Sequence, residues 1–216
     1  MVFPLIPIAL FVVTIVSASF AVRWIFIRLS GKRVAILGRQ QVGKSTLLHF
    51  LEHNAVPANS TPTVDPERGA SFAFSVHKKV IHFNVPSDLP GNDGLSFVDW
   101  KEAFSEASYV WYVFRADLIA QGDPTELDLL EEHLTLFNHW MPKKKSSGPK
   151  VILIGTWADN DPLFVQSPHK FRKLVAGIKP IDVARLKFGR MPVVVGSLLT
   201  DESAEKLVKS LGKVLS

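Results

Sequence analysis

From Val2 to Val22 the chain carries no charged side chain. About 20 such residues in a helix are enough to cross the hydrocarbon core of a bilayer. A core helix of a globular domain would show caps and one polar face, and this run has neither. Pro4 and Pro7 fall in its first turns, where amide donors lack partners in any case. From Arg33 onward the pattern changes. "RVAILG" reads as a strand and "KSTLLHFLEH" as the helix after it; "GASFAFSV" and "VIHFNV" form a strand pair, "SYVWYVF" and "KVILIG" are buried strands, and "MPVVVG" is the last. Helical spacing marks "LSFVDWKEAFSEA", "PTELDLLEEHLTLFNHW", a stretch around "HKFRKLVAGI" and a final "DESAEKLVKSLGKVL". In that last segment Ala204, Leu207, Val208, Leu211, Val214 and Leu215 make one apolar stripe that should close against a sheet. The alternation predicts an α/β domain with a mostly parallel sheet and helices on both faces, preceded by one transmembrane helix.

Charge placement sharpens the reading of the apolar start. A cleaved signal peptide needs cations before its apolar run, whereas Arg23, Arg28, Lys32 and Arg33 all follow it and none precedes it. Residues 1–24 are therefore expected to be a signal-anchor helix and 25–32 a basic juxtamembrane linker, with one domain over 33–216. The positive-inside rule leaves the amino terminus outside and the domain at the cytoplasmic face, with Trp24 at the headgroup level. The net charge of +5 comes from scattered cations, with no aromatic-interleaved stripe, so no direct nucleic-acid partner is expected. The absence of cysteine excludes disulfides and thiolate metal sites. Lys143, Lys144 and Lys145 read as a solvated loop before a strand.

Candidate chemistry centres on "GRQQVGKST". Gly38, Gly43, Lys44 and Ser45 fit G-x-x-x-x-G-K-[ST] between a predicted strand and a predicted helix, the context that a phosphate-cradling loop requires. Its glycines let successive amides face phosphate oxygens, with Lys44 on the β and γ phosphates and Ser45 on magnesium. Motifs downstream occur in a fixed order: "STPTVD" with Thr63, "VPSDLPGND" with Asp88 and Gly91, "GTWADND" with Thr156 and Asp159, and "VVVGSLL" with Ser197. With the loop, these resemble the small Ras-like and Arf-like P-loop GTPases over nearly the whole soluble part. The resemblance implies GTP or GDP with magnesium as cofactors. It implies metal contacts from Ser45, Thr63 (with Thr61 as the alternative in the same segment) and Asp88, and nucleotide contacts from Gly38, Gln41, Val42, Gly43, Lys44, Ser45, Thr46, Thr63, Gly91, Thr156, Trp157, Asp159, Ser197 and Leu198. A carboxylate at Asp159 accepts from guanine N1 and N2, which adenine cannot match. Trp157 stands where the family has lysine, and an indole there can stack on the base.

The resemblance assigns turnover to Lys44, Gly91 and Asn92, with Asn92 in place of a customary glutamine. Its side chain is one methylene shorter, which together with Gln40 and Gln41 in the loop predicts slow intrinsic hydrolysis. The amino-terminal span, short basic linker and "DLPG" are similar in arrangement to the β subunit of the signal recognition particle receptor. That arrangement implies a membrane-fixed switch that recruits a protein partner through its switch segments. Three classes stay open at this point: a regulatory GTPase, a nucleotide-bound scaffold that does not hydrolyse, and a P-loop ATPase or kinase. "HFLEH" places His49 and His53 on one helix face, but no third ligand follows, and a metallopeptidase is not expected.

Overall fold

The structure is a computed structural model that describes residues 31–58, 70–76, 79–85, 95–142, 148–189 and 191–215. Strand β1 (Arg33–Leu37) leads into helix α1 (Lys44–His53), followed by strands β2 (Ala70–Val76) and β3 (Lys79–Val85). Next come α2 (Leu95–Glu106), β4 (Tyr109–Arg115), α3 (Ala116–Gln121), α4 (Pro124–Trp140) and β5 (Lys150–Thr156). The chain ends with α5 (Pro162–Gln166), α6 (Pro168–Ala176), α7 (Lys179–Phe188), β6 (Val193–Val195) and α8 (Asp201–Leu215). The sheet order is β2-β3-β1-β4-β5-β6. Only β2 runs antiparallel, against β3; the other neighbours are parallel. An antiparallel hairpin on the edge of a parallel sheet is what two strands separated by a two-residue connection must make, since a parallel pair needs a crossover.

Successive side chains of a strand face opposite sides, and β1, β4 and β5 are covered on both, so their middles are apolar throughout. Val34 and Ile36 of β1, Trp111 and Val113 of β4 and Ile152 and Ile154 of β5 pack with α1 and α8. Their alternates, Ala35 and Leu37, Val110 and Tyr112, and Val151 and Leu153, pack with α2, α4, α6 and α7 on the other side. The stripe read in α8 is buried on the first face, with Ala204, Leu207, Val208, Leu211 and Leu215 all enclosed. The second core contains a polar pair: the Tyr112 hydroxyl and His133 Nδ1 share a hydrogen bond of 2.7 Å. Burial, aided by the Arg39 charge, lowers the His133 pKa to about 4, so the ring is neutral at pH 7.

The predicted strands and long helices agree with the structure to within a residue or two. Helices α3, α5 and α7 were not expected as separate elements. The signals for α5 and α7 were present as Pro162 and Pro180, each in the first turn of a helix where the missing amide costs nothing. The expected membrane span at 1–24, and the linker apart from Gly31 and Lys32, lie outside the described residues. Among the described residues no helix is long and apolar enough to cross a membrane.

Candidate nucleotide site

The loop after β1 passes beside β4 so closely that only glycine fits. At Gly38, φ is +145° and a Cβ would stand 2.3 Å from the Val113 carbonyl oxygen. Gln41 (φ 61°) and Gly43 (φ 93°) are both left-handed, which curls the backbone into a concavity of the kind that gathers amide donors. Gly43 caps α1 with no side-chain hydrogen bond, and the first turn of α1 contains no acid. A helix start without a side-chain cap or a nearby acid is of the kind that suits an anion. Lys44 arches back over the loop, its Nζ donating to the Gly38 carbonyl at 2.6 Å and to the Arg39 carbonyl. Ser45 and Thr46 follow in the first turn of α1. Arg39 itself forms an ion pair with Glu126 on α4, tying the outer side of the loop to a neighbouring helix.

A second set of residues converges from the ends of β4, β5 and β6. Thr156 closes β5, buried, with its hydroxyl 2.6 Å from the Val42 carbonyl and 3.0 Å from that of Phe114. A hydroxyl has one proton to donate, and the shorter contact is to the loop. Thr156 therefore fastens the strand carrying the predicted base reader to the phosphate loop. Trp157 is left-handed (φ 57°), and its indole Nε1 donates to the Gln41 carbonyl at 3.1 Å. The Arg115 guanidinium lies 4.6 Å from the centre of the Trp157 ring. Arg115 is itself held by a two-pronged contact with Asp117, at 2.8 and 2.5 Å, and Asn160 Nδ2 donates to the same carboxylate at 3.1 Å. Burial alone would raise the Asp117 pKa, but the bonds from Arg115 and Asn160 hold it below the usual carboxylate value.

Asp159 lies between these anchors, in the single 3-10 turn Ala158–Asn160. Its carboxylate is half-buried and has no hydrogen-bond partner among the described residues, while its charge acts on Arg115. The turn after β6 approaches from the other side. The Ala158 amide donates to the Gly196 carbonyl at 3.3 Å, and the buried Ser197 hydroxyl accepts from the Leu199 amide at 3.0 Å. Leu198 reaches the loop, 3.2 Å from where a Cβ on Gly43 would stand.

Gly38, Gln41, Val42, Gly43, Lys44, Thr156, Trp157, Ser197 and Leu198 are thus brought into one place, with Asp159 beside them. Thr63, Asp88, Gly91 and Asn92 lie outside the described residues. Sequence reading missed Arg115, Asp117 and Asn160, whose only signal is a charged pair at a strand end next to the predicted reader. Arg172, which an arginine-bearing lid of a kinase would use near the phosphates, instead donates through Nε to the Val195 carbonyl at 3.1 Å and lies 5.8 Å from the Phe164 ring centre. His49 Nδ1 is hydrogen-bonded to the Ala55 carbonyl at 2.9 Å.

No protein-family model matches the chain, and no curated protein matches it. Solved structures do: 1242 chains match, so the architecture is widely used and names no single activity by itself. One is the crystal structure of Toc33 from Arabidopsis thaliana, a dimerization-deficient mutant, with a TM-score of 0.65 and 17% identity. The match covers 92% of this chain and 92% of that one. Together with the strand order, it gives this chain the same kind of α/β fold, a mostly parallel six-stranded sheet with helices on both faces.

Proposed function

We propose that the protein is a membrane-anchored small GTPase that binds GTP and GDP with magnesium and acts as a molecular switch at the cytoplasmic face. The observation that carries this is the joining of two sites by Thr156, whose hydroxyl bonds the phosphate loop at Val42 from the strand that ends in Asp159. A phosphate loop alone fits any nucleoside triphosphate. A carboxylate placed beyond it without a hydrogen-bond partner among the described residues, in the same turn as Trp157, is the donor-seeking group that guanine N1 and N2 satisfy.

The residues fit the absent groups. The uncapped start of α1 and the left-handed turns at Gln41 and Gly43 suit the β and γ phosphates, with Lys44 already over the loop mouth. Magnesium, held by Ser45 with Thr63 and Asp88, would neutralise phosphate charge during transfer. With a nucleotide bound, Lys44 would hold the phosphates in register, and by the resemblance the Gly91 amide would sense the terminal one and Asn92 would orient water on a side chain one methylene shorter than glutamine. Turnover is accordingly slow, and the nucleotide state is read by a protein partner on the switch segments. In arrangement this is similar to the β subunit of the signal recognition particle receptor, with residues 1–24 as the single span, the amino terminus outside and the GTPase domain cytoplasmic.

The test is the identity of nucleotide released from purified protein by denaturation and resolved by chromatography. GTP and GDP are expected. Adenine nucleotides in their place would make the protein a P-loop ATPase or kinase and end this reading.

A further inference from the structure

We infer that the end of the sheet where the parallel strands start lies against an anionic bilayer surface, so that the nucleotide loop faces away from the membrane. This rests on the anchored reading above and adds an orientation to it. Strands β1, β4 and β5 begin side by side, as the Ser108 amide donates to the Arg33 carbonyl at 2.8 Å and the Lys150 amide to the Ser108 carbonyl at 3.0 Å. Lys32, Arg33 and Lys150 are exposed at this end. Leu186 and Lys187 join them from the last turn of α7, whose end at Phe188 leads directly to the start of β6, and Leu186 is 86% exposed. The acid opposite Arg33 at this end, Glu106, is already paired with it at 2.8 Å.

The other end of the sheet has the opposite character. Asp123, Asp159, Asp161 and Asp201 follow the strand ends there, beside the loop. Part of this polarity is helix capping, because Asp123 and Asp161 accept from Glu126 and Leu163 amides. Capping does not account for Lys32, Arg33 and Lys150, which stand at strand starts, nor for an exposed Leu186 beside Lys187. Strands of five to seven residues separate the two ends by roughly 17–23 Å at about 3.3 Å per residue. That exceeds the Debye length of about 8–10 Å, so a charged surface meets one end at a time.

Chain continuity selects which end. The charge-free run stops at Val22, nine residues before Gly31, where the chain enters the described domain next to β1. Nine residues reach at most about 32 Å when fully extended. The basic end is therefore the one tethered nearest the bilayer, where exposed cations are attracted by anionic headgroups and Leu186 can enter the interface.

The chain has no cysteine, so single labels can be placed at will. Full-length protein carrying a fluorophore at Leu186→Cys, or at Gln121→Cys on the loop end, is reconstituted in nanodiscs of phosphatidylcholine with or without phosphatidylserine. Quenching by a spin-labelled lipid headgroup is then read. The expected result is several-fold stronger quenching at position 186 than at 121 when phosphatidylserine is present, lost in a Lys150→Glu, Lys187→Glu double variant that still binds nucleotide. Equal quenching at both positions, or quenching at 186 indifferent to phosphatidylserine and to charge reversal, overturns the orientation while leaving the anchor intact. A chain that does not enter the discs at all overturns the anchor and the orientation together.

Discussion

At Gly38 a single methyl group is enough to close the loop's path, since a Cβ would overlap the Val113 carbonyl at 2.3 Å. Backbone cannot yield there as a side chain could, and φ of +145° is strained for any other residue. Gly38→Ala is predicted to lower GTP affinity more than tenfold by calorimetry and to reduce the melting temperature as well. Thr156→Val keeps the volume of the side chain and removes its hydroxyl. Leaving the Val42 carbonyl without that donor costs about 1–2 kcal/mol, read as a loss of roughly tenfold in nucleotide affinity. Arg115 acts through Trp157, so its effect should vanish when the indole is absent. A double-mutant cycle of Arg115→Ala and Trp157→Ala on GTP affinity is expected to show coupling of about 1 kcal/mol, the scale of a partly exposed cation–π contact. Additive effects would mean that Arg115 serves only the fold.

The elements differ in how much of them was legible. Strands buried on both faces announce themselves as continuous apolar runs, and α8 does so by its stripe, because in each case one covalent segment contains the whole signal. The phosphate loop was legible for the same reason. The Arg115–Asp117–Asn160 set was not, since it is assembled from the end of β4, the start of α3 and the turn after β5. Helices α5 and α7 are short and expose apolar residues such as Val165 and Leu186, so no clean stripe announces them, and their starts were marked by proline, with Asp161 as an added cap on α5. The pairing of β4 with α4 also hides a titrating group. His133 is neutral in the folded chain, with its pKa lowered to about 4, while an unfolded histidine stays near 6.5. Below pH 6.5 the unfolded state binds a proton that the folded state refuses, so stability is full above that value and falls as pH drops toward 4. The loss is on the order of 3 kcal/mol at most across that window. Urea midpoints measured at pH 7.5 and 4.5 should converge in a His133→Gln variant by comparison with the parent protein, because glutamine retains an acceptor for Tyr112 and does not titrate.

At the scale of the whole molecule, the proposed orientation gives the domain a direction, with the candidate nucleotide site at the acidic end of the sheet and the proposed tether at the basic one. A direction matters only if nucleotide binding is what the outward end does, and the base it selects is the claim on which the rest depends. Asp159→Asn replaces two carboxylate acceptors by one acceptor and one donor group. The side chain then suits a base with a C2 carbonyl in place of the guanine amine, as in xanthine. Affinities of the parent protein and of Asp159→Asn for GTP, XTP and ATP, measured side by side by calorimetry, test this directly. The parent protein is predicted to prefer GTP over both others by at least a hundredfold, and the variant to lose GTP and gain XTP. A parent protein that binds ATP as well as GTP, or a variant whose preference is unchanged, would contradict the account.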